Sequence, residues 1–487
     1  MRIGNVRLGF ACNSSSSHSI LLLRPGARLS SEGPSDDSHY GWGYFVLADE
    51  PSKMDYFAAQ VFSALSNEID PQLAAIAAAE LSGVPRDPAG HAPDVDHQSR
   101  WVLPSRLDGT LNLEFLGALK EYLRRPDVVV LGGNDNDNSR SYSRDLGQEL
   151  PLPLEDFSRS YVARRDGQWW VIFNRRTGAK IRLSFEDNPA PLRKASAPEL
   201  VDLKITDYCS YGCSYCYQGS TVKGLHATLN NCHSIARALS AMGVFEVAIG
   251  GGEPTHHPNF SGIVKLLSDK GIRPAFTTRN LEWLEDPNNE DTLSLCSAVA
   301  VSVESAGGVL EVQRIRSALT ARRPSWQPPK IQVQYVIGSA PTEGFHALLA
   351  AAKNSWVGVT LLGPKYTGRG GKLEAQQTAE QVRTWLAAVK ELGPGSIGID
   401  TTLASLSQEQ LHDHDVPHIF YSMTEGAFSM YIDAVEGKMA KSSYELDGAV
   451  PLPRSGAGFA PNLLGTVRTF FQSLPGEPGP ADPATPA

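Results

Sequence analysis

Six short β-branched runs follow one another after Glu199, and stretches of helical periodicity separate them. The runs are LVDLKI, FEVAIG, IRPAFTT, SAVAVSV, KIQVQYVIG and WVGVTLLG. Parallel neighbours need a crossover between them, usually a helix, so this rhythm predicts βα units. The most economical closure is a partial (β/α)6 TIM-type barrel, an α/β fold whose chemistry sits on loops at the C-terminal ends of its strands. Residues ahead of it are less regular. VRLGFACNSSSSHSILLL reads as strand, polar turn and strand; DPQLAAIAAAELSG and LNLEFLGALKEYLRR read as helices. YVARRDGQWWVIFNRRTGAKIRLSF alternates apolar and polar residues around Asp166-Gly167 and Thr177-Gly178, as a β-meander does. Its Trp169 and Trp170 therefore point to opposite faces, one into a core and the other toward an interdomain or ligand contact.

The Pro/Ala-rich EDNPAPLRKASAPE marks a boundary. The expected division is an N-terminal α+β domain over 1–195, the barrel over 196–395, a C-terminal extension without cysteines over 396–462, and a segment over 463–487 that ends in a disordered Pro/Gly/Ala tail. A chain of 487 residues is too long for one core, which agrees with two or more domains. A formal charge of −9 disfavours general nucleic-acid binding. No apolar run approaches the roughly 20 residues that span a bilayer. SILLLRPG is short for a signal sequence, and six irregularly spaced cysteines make no secreted disulfide framework. A cytoplasmic, reducing location is expected.

Three of those cysteines crowd into KITDYCSYGCSYCYQGS, at the end of the first barrel strand. Cys209, Cys213 and Cys216 run as C-x3-C-x2-C. Thiolates are soft ligands suited to zinc or iron–sulfur clusters. A [4Fe–4S] cluster fully held by protein takes four cysteines, so three would leave one iron open to another ligand.

The spacing, with Tyr215 before the third cysteine, resembles the radical S-adenosylmethionine (SAM) superfamily and its C-x3-C-x-aromatic-C signature. That resemblance implies one [4Fe–4S] cluster on the three cysteines, with SAM chelating the open iron. Reductive cleavage of SAM would give a 5′-deoxyadenosyl radical that abstracts hydrogen from a substrate. Tyr215 would pack near the adenine. Gly251-Gly252-Glu253-Pro254, at the end of the second strand, match the GGE-P motif, and Glu253 would meet the SAM ammonium. Ser302 and Glu304, after the fourth strand, would meet its ribose or carboxylate. FTTRN replaces the family's frequent Thr-Thr-Asn-Gly stretch, and its Arg279 could pair with a carboxylate. Lys365 or Arg369 could face SAM or substrate. Ser210 stands where many relatives have Asn.

The resemblance covers about residues 199–370 and leaves the substrate open between a peptide or protein and a small metabolite. The peptide is preferred, with the N-terminal domain recruiting it or covering the barrel mouth. An electron donor such as flavodoxin or ferredoxin is implied. With only Cys12, Cys232 and Cys296 left over, a second cluster is not expected. The alternative is a non-catalytic metal-binding protein with a structural zinc or cluster site, using His226 or His233 as a fourth ligand. His412, His414 and His418, with Asp413 and Asp415, form a polar loop that could hold a divalent metal. NSSSSHS, Asn13 to Ser19, could hold an anion, and His256 and His257 flank the GGEP turn.

Overall fold

The computed structural model describes residues 2–7, 16–33, 39–40, 44–66, 69–84, 94–95, 101, 103–106, 108–134, 146–151, 161–176, 178–322, 329–392, 397–414, 416, 421–456 and 458–477. Cys12, Asn13 to Ser15, Asp415, His418 and the last ten residues lie outside that set. The chain divides into two compact units, Met1–Ala190 and Pro191–Ala487.

The first unit contains strands β1 (Arg2–Arg7), β2 (Ser16–Leu23), β3 (His39–Tyr40), β4 (Phe45–Leu47), β5 (Asp94–Val95), β6 (Val128–Asn134), β7 (Gly147–Pro151), β8 (Tyr161–Asp166), β9 (Trp169–Asn174) and β10 (Lys180–Ser184). Its helices are α1 (Glu50–Ser66), α2 (Pro71–Ser82) and α3 (Leu113–Arg124). Two four-stranded sheets form, ordered β1-β10-β9-β8 and β4-β6-β2-β7. The expected meander is the first of these, with Trp169 opposite Asp166 across the turn. Both tryptophans are buried: Trp170 packs edge-on against Phe115, and Trp169 Nε1 donates to the Ala190 carbonyl at 2.7 Å. A buried indole N–H needs such a partner, and neither ring is left as an open contact. Asp70 caps α2 by accepting from the Gln72 and Leu73 amides, Pro71 starts it, and Gly83 ends it at φ 76°.

In the second unit the six expected strands are β11 (Leu200–Thr206), β12 (Glu246–Gly251), β13 (Arg273–Thr278), β14 (Ala298–Ser302), β15 (Lys330–Val336) and β16 (Val359–Leu362). They pair in parallel in chain order. Helices α4 (Leu229–Met242), α5 (Phe260–Asp269), α6 (Leu281–Glu285), α7 (Glu290–Leu295), α8 (Ala306–Arg322) and α9 (Thr342–Ser355) lie between them. After α10 (Ala375–Leu392), β17 (Ile397–Ile399) adds to β16 in parallel. Short helices α11 (Thr401–Leu406) and α12 (Gln408–Asp413) follow. Then β18 (Ser429–Asp433) joins the other side of β11 in parallel, and β19 (Lys438–Ala440) and β20 (Val450–Pro451) continue antiparallel. The sheet thus has ten strands, ordered β17 through β11 and then β18-β19-β20. Helix α13 (Leu463–Ser473) buries Leu463, Val467 and Phe471 in the same core as α4.

Alternation along the strands explains where the core sits. Val201, Leu203 and Ile205 of β11, Val247 and Ile249 of β12, and Val299 and Val301 of β14 all enter one cluster with the helices. Successive side chains point to opposite faces, so Asp202, Ala248, Ala275, Ala300, Gln332 and Thr360 share the other face. Those residues are only half-buried. One face of the sheet is a packed core and the other is small, polar and partly open. No described helix is long and apolar enough to cross a membrane.

Candidate functional site: the cysteine loop and its surroundings

The loop leaves β11 through a register irregularity between Lys204 and Thr206. There the Gly252 amide donates to Thr206 O at 2.7 Å, and the Glu253 amide to Tyr208 O at 2.9 Å. The glycines make this approach possible. Gly251 has φ 129°, and a methyl group on Gly251 or Gly252 would overlap the carbonyl oxygen of Thr206 or Tyr208. The GGEP segment is thereby laid along the start of the cysteine loop.

A second segment grips the loop from the end of β16. The Arg369 amide donates to Cys216 O at 2.9 Å, its Nε to Cys213 O at 2.8 Å and its Nη1 to Ser220 O at 3.0 Å. Thr367 Oγ1 adds a bond to Tyr217 O at 3.2 Å. Gly368 and Gly370 sit where a Cβ would overlap the Tyr217 and Lys365 carbonyl oxygens. Arg369 thus spends its amide, Nε and Nη1 on the loop's backbone, while its Nη2 is buried without a hydrogen bond.

All three thiols are free and partly accessible. Burial raises the Cys209 pKa above the ordinary thiol value, and the neighbouring Cys213 and Cys216 add to the shift. Cys232 and Cys296 differ: both are buried, with thiols pushed up to about 12 chiefly by burial, which leaves them inert core residues. Among the described residues no three His, Cys, Asp or Glu side chains converge on one metal-ion position. The zinc alternative also lacks its fourth ligand: His226 Nδ1 lies 2.8 Å from Thr206 Oγ1, and His233 is exposed on α4. A [4Fe–4S] cluster takes its cysteines on separate irons, and three unpaired soft donors on one clamped loop fit that group.

Glu253 is almost fully buried at 2% exposure. Its Oε1 accepts from the Thr255 amide at 3.2 Å, Thr255 Oγ1 at 2.7 Å and Thr278 Oγ1 at 2.7 Å, and Oε2 accepts from the Arg279 amide at 3.0 Å. The carboxylate ties the end of β12 to the end of β13. Arg279 then projects from that junction. Its Nη1 donates to Glu304 Oε1 at 2.6 Å, Cys213 Sγ at 2.9 Å and Tyr215 Oη at 3.1 Å. The carboxylate it meets is thus the protein's own. Burial opposes the Arg279 charge, but Tyr215, Glu304 and Cys213 outweigh it and hold its pKa above the ordinary value. Burial likewise raises Tyr215 above the usual phenol range. Arg279, Ser302, Glu304, Ser339 and Pro341 line a recess of about 550 Å3, with Ser302 Oγ held by Gln334 Nε2 at 2.9 Å.

Beside Tyr217 lies a second polar group, which sequence reasoning missed apart from Lys365. Lys365 Nζ sits 5.1 Å from the Tyr217 ring centroid, 4.8 Å from that of Tyr444 and 3.5 Å from Asp400 Oδ2. Tyr444 Oη donates to Glu425 Oε1 and accepts from Thr402 Oγ1. Burial pushes Glu425 up to about 7 and Asp202 up to about 6. The one visible hint was Asp202, a charge inside an otherwise apolar strand run. The remaining candidates are quieter. His257 bonds Ala227 O at 2.9 Å through Nε2 and accepts from the Asn259 amide through Nδ1, so it is a structural imidazole. His256 stacks on Tyr211. His412 ends α12 and His414 caps it, while His418 lies outside the described residues.

Comparison with known proteins fits the loop. Residues 203–327 match the family model of the radical SAM superfamily. That stretch is similar to the radical SAM superfamily. A GTP 3′,8-cyclase of Mannheimia succiniciproducens is 31% identical over 130 residues, covering 24% of this chain and 39% of the relative. The Pasteurella multocida GTP 3′,8-cyclase is 37% identical over 90 residues, covering 17% and 27%. This chain thus spans well under half the length of the curated relatives it matches. Among solved structures, Streptococcus suis SuiB bound to precursor peptide SuiA is similar over 64% of this chain and 90% of that one, at 13% identity and a TM-score of 0.46.

Proposed function

We propose that this chain is a radical SAM enzyme that uses Cys209, Cys213 and Cys216 to hold one [4Fe–4S] cluster and cleaves SAM reductively to act on a peptide or protein substrate. Three unpaired thiols on a backbone-clamped loop at the C-terminal end of β11 carry this reading. We infer that β11 to β16 curve as a partial (β/α)6 barrel, with the small, polar face of the sheet inside. Held by Cys209, Cys213 and Cys216, the cluster would supply the electron for reductive cleavage of SAM, and the radical so formed would abstract hydrogen from the substrate. The protein's own residues hold and orient. Arg369 fixes the cysteine loop, and Gly251, Gly252 and Pro254 let the second strand end approach it. Glu253 sets the Thr278–Arg279 junction and faces the SAM ammonium with what remains of its acceptor capacity. Ser302 and Glu304 receive the ribose or carboxylate in the 550 Å3 recess, and Tyr215 packs against the adenine.

The substrate half of the proposal rests on size. Met1–Ala190 form a compact unit of their own outside the cysteine-loop unit, and a domain of that size suits recruitment of a polypeptide better than enclosure of a metabolite. The electron would come from a flavodoxin- or ferredoxin-type donor, and the protein would work in the cytoplasm. Anaerobic reconstitution should give about four irons and four sulfides per chain. Dithionite with SAM should then release 5′-deoxyadenosine. Replacing all three cysteines with alanine should abolish both, and iron–sulfur absorbance persisting in that variant would refute the assignment. Mass spectrometry of co-purifying material separates a peptide substrate from a small molecule.

A further inference from the structure

Asp202, Asp400, Glu425 and Lys365 come from four places in the second unit: strand β11, the residue after β17, the segment before β18 and the turn after β16. They meet beside Tyr217, the residue directly after Cys216. None of them lines the recess at Arg279. Two different polar groups therefore flank the cysteine loop.

The composition of this second group is unbalanced. Three carboxyl groups interact with one another and with a single ammonium, that of Lys365. The nearby Lys204 does not redress this, because Asp207 and Asp433 already hold it in ion pairs. Asp400 Oδ2 is sealed from solvent without a hydrogen bond, facing Lys365 Nζ at 3.5 Å. Asp202 makes no hydrogen bond or ion pair among the described residues, yet it lies deep in the unit. A buried carboxyl with no partner costs several times what a hydrogen bond returns. Asp202, Lys365, Asp400 and Glu425 are each only half-buried while enclosed by protein, so they border open space. The faces of Tyr217 and Tyr444 also turn toward the position of a cation, since both already hold Lys365.

We propose that these residues form the subsite for a cationic group of the substrate, a primary ammonium or a guanidinium, held by Asp202, Glu425 and Asp400 against the ring of Tyr217. The proposal rests on the function above in calling the bound molecule the substrate. A cation there would satisfy Asp202 and Asp400 Oδ2, whose partner oxygen Oδ1 already accepts from the Gly363 and Leu403 amides, and would lie beside Tyr217, the residue directly after Cys216. Lys365 is the resident cation that keeps these carboxyls tolerable, and it competes with the incoming group.

The test uses the full chain, reconstituted anaerobically, with two probes of equal length: Nα-acetyl-lysine methylamide and, called the norleucine probe below, its uncharged counterpart with a norleucine side chain extended by one methylene. Binding is read by ligand-observed NMR and calorimetry. The lysine probe should bind at least tenfold more tightly than the norleucine probe. Asp202→Asn with Glu425→Gln should remove that preference while leaving iron content unchanged and the melting temperature no lower than that of the wild type. Asp202 accepts no hydrogen bond among the described residues, and the amide oxygen that Glu425→Gln introduces can still accept from Tyr444 Oη. Lys365→Met should tighten the lysine probe. Equal binding of the two probes, absence of binding, or weakening of the lysine probe by Lys365→Met overturns the proposal. If the double variant does not fold, the wild-type preference and the Lys365→Met result decide. Cluster content and 5′-deoxyadenosine release are measured in parallel. Their loss in the wild-type protein sinks the radical SAM reading, whereas their presence with indifferent probe binding sinks only the subsite.

Discussion

Arg369→Met isolates how firmly the cysteine loop is held. The substitution removes the Nε bond to Cys213 O at 2.8 Å and the Nη1 bond to Ser220 O at 3.0 Å. It leaves the backbone bond to Cys216 O and the Thr367 bond to Tyr217 O. Hydrogen bonds from a charged donor contribute about 1.5–3 kcal/mol each. Arg369 is half-buried, so the lower figure applies, and two bonds amount to about 3 kcal/mol. That corresponds to roughly a hundredfold shift toward an opened loop, at about 1.4 kcal/mol per decade. The loop lies outside the packed core, so the global melting temperature should fall far less than a 3 kcal/mol core defect would imply. The assay is the rate at which an iron chelator strips the reconstituted cluster under anaerobic conditions. Loss should be about two orders of magnitude faster than in the wild type, with Arg369→Lys in between because one ammonium cannot reach both carbonyls in the guanidinium's fork geometry. A stripping rate within twofold of the wild type would refute the clamp.

Other outcomes follow from the same geometry. Gly252→Ala should prevent cluster loading, because its methyl group would overlap the Tyr208 carbonyl oxygen; iron analysis checks this. Glu253→Gln should destabilise the second unit by about 2 kcal/mol, because an amide nitrogen would face a donor that the carboxylate now accepts; denaturant unfolding reads it. Glu425 carries a raised carboxyl, from its ordinary value of 4.5 to about 7, through burial and then Asp202. The folded state therefore binds more protons than the unfolded state between those values, and stability falls as pH rises through that window. With Asp202, Asp400, Lys365 and Tyr444 around it, Glu425→Gln should match the wild type near pH 4.5 and exceed it above pH 7. Identical melting profiles for the two proteins across that range would contradict the assignment.

What could be read in the sequence was local. The six strands were visible because β-branched residues recur at period two with helical intervals, and the cysteine spacing was visible because it is contiguous. The place of β18 was not, because its pairing with β11 joins residues more than two hundred positions apart. Strand β17 has three residues, too few for a periodic signal. At the site, Glu253 was legible as a motif while its partners were not, because Thr278 and the Arg279 amide belong to the next βα unit. Arg369 was expected to reach toward a ligand; its actual partners, the carbonyls of the cysteine loop, lie about 150 residues earlier and carry no side-chain pattern. Glu425 and Tyr444 had no local signal at all.

The division of labour between the two faces of the sheet explains why such a site is tolerable. Val, Ile, Leu and Phe side chains from β11 to β16 pack against the helices on one face, and that burial stabilises the unit. The opposite face is then free to be poor in apolar contacts. Ala, Thr, Gln and Asp on its strands contribute little packing, so an excess of carboxyl groups there weakens the fold by its own desolvation alone. A TIM-type barrel filled with layered branched side chains has no such face to spare. The pattern Val-Asp-Leu-Lys-Ile in β11, apolar toward the helices and charged on the other face, thus places stability and polar groups on alternate residues of a single strand. Replacing Val201 or Leu203 should cost stability, and replacing Asp202 should cost recognition; a variant of Asp202 that unfolded the unit would show that the two roles are not separated.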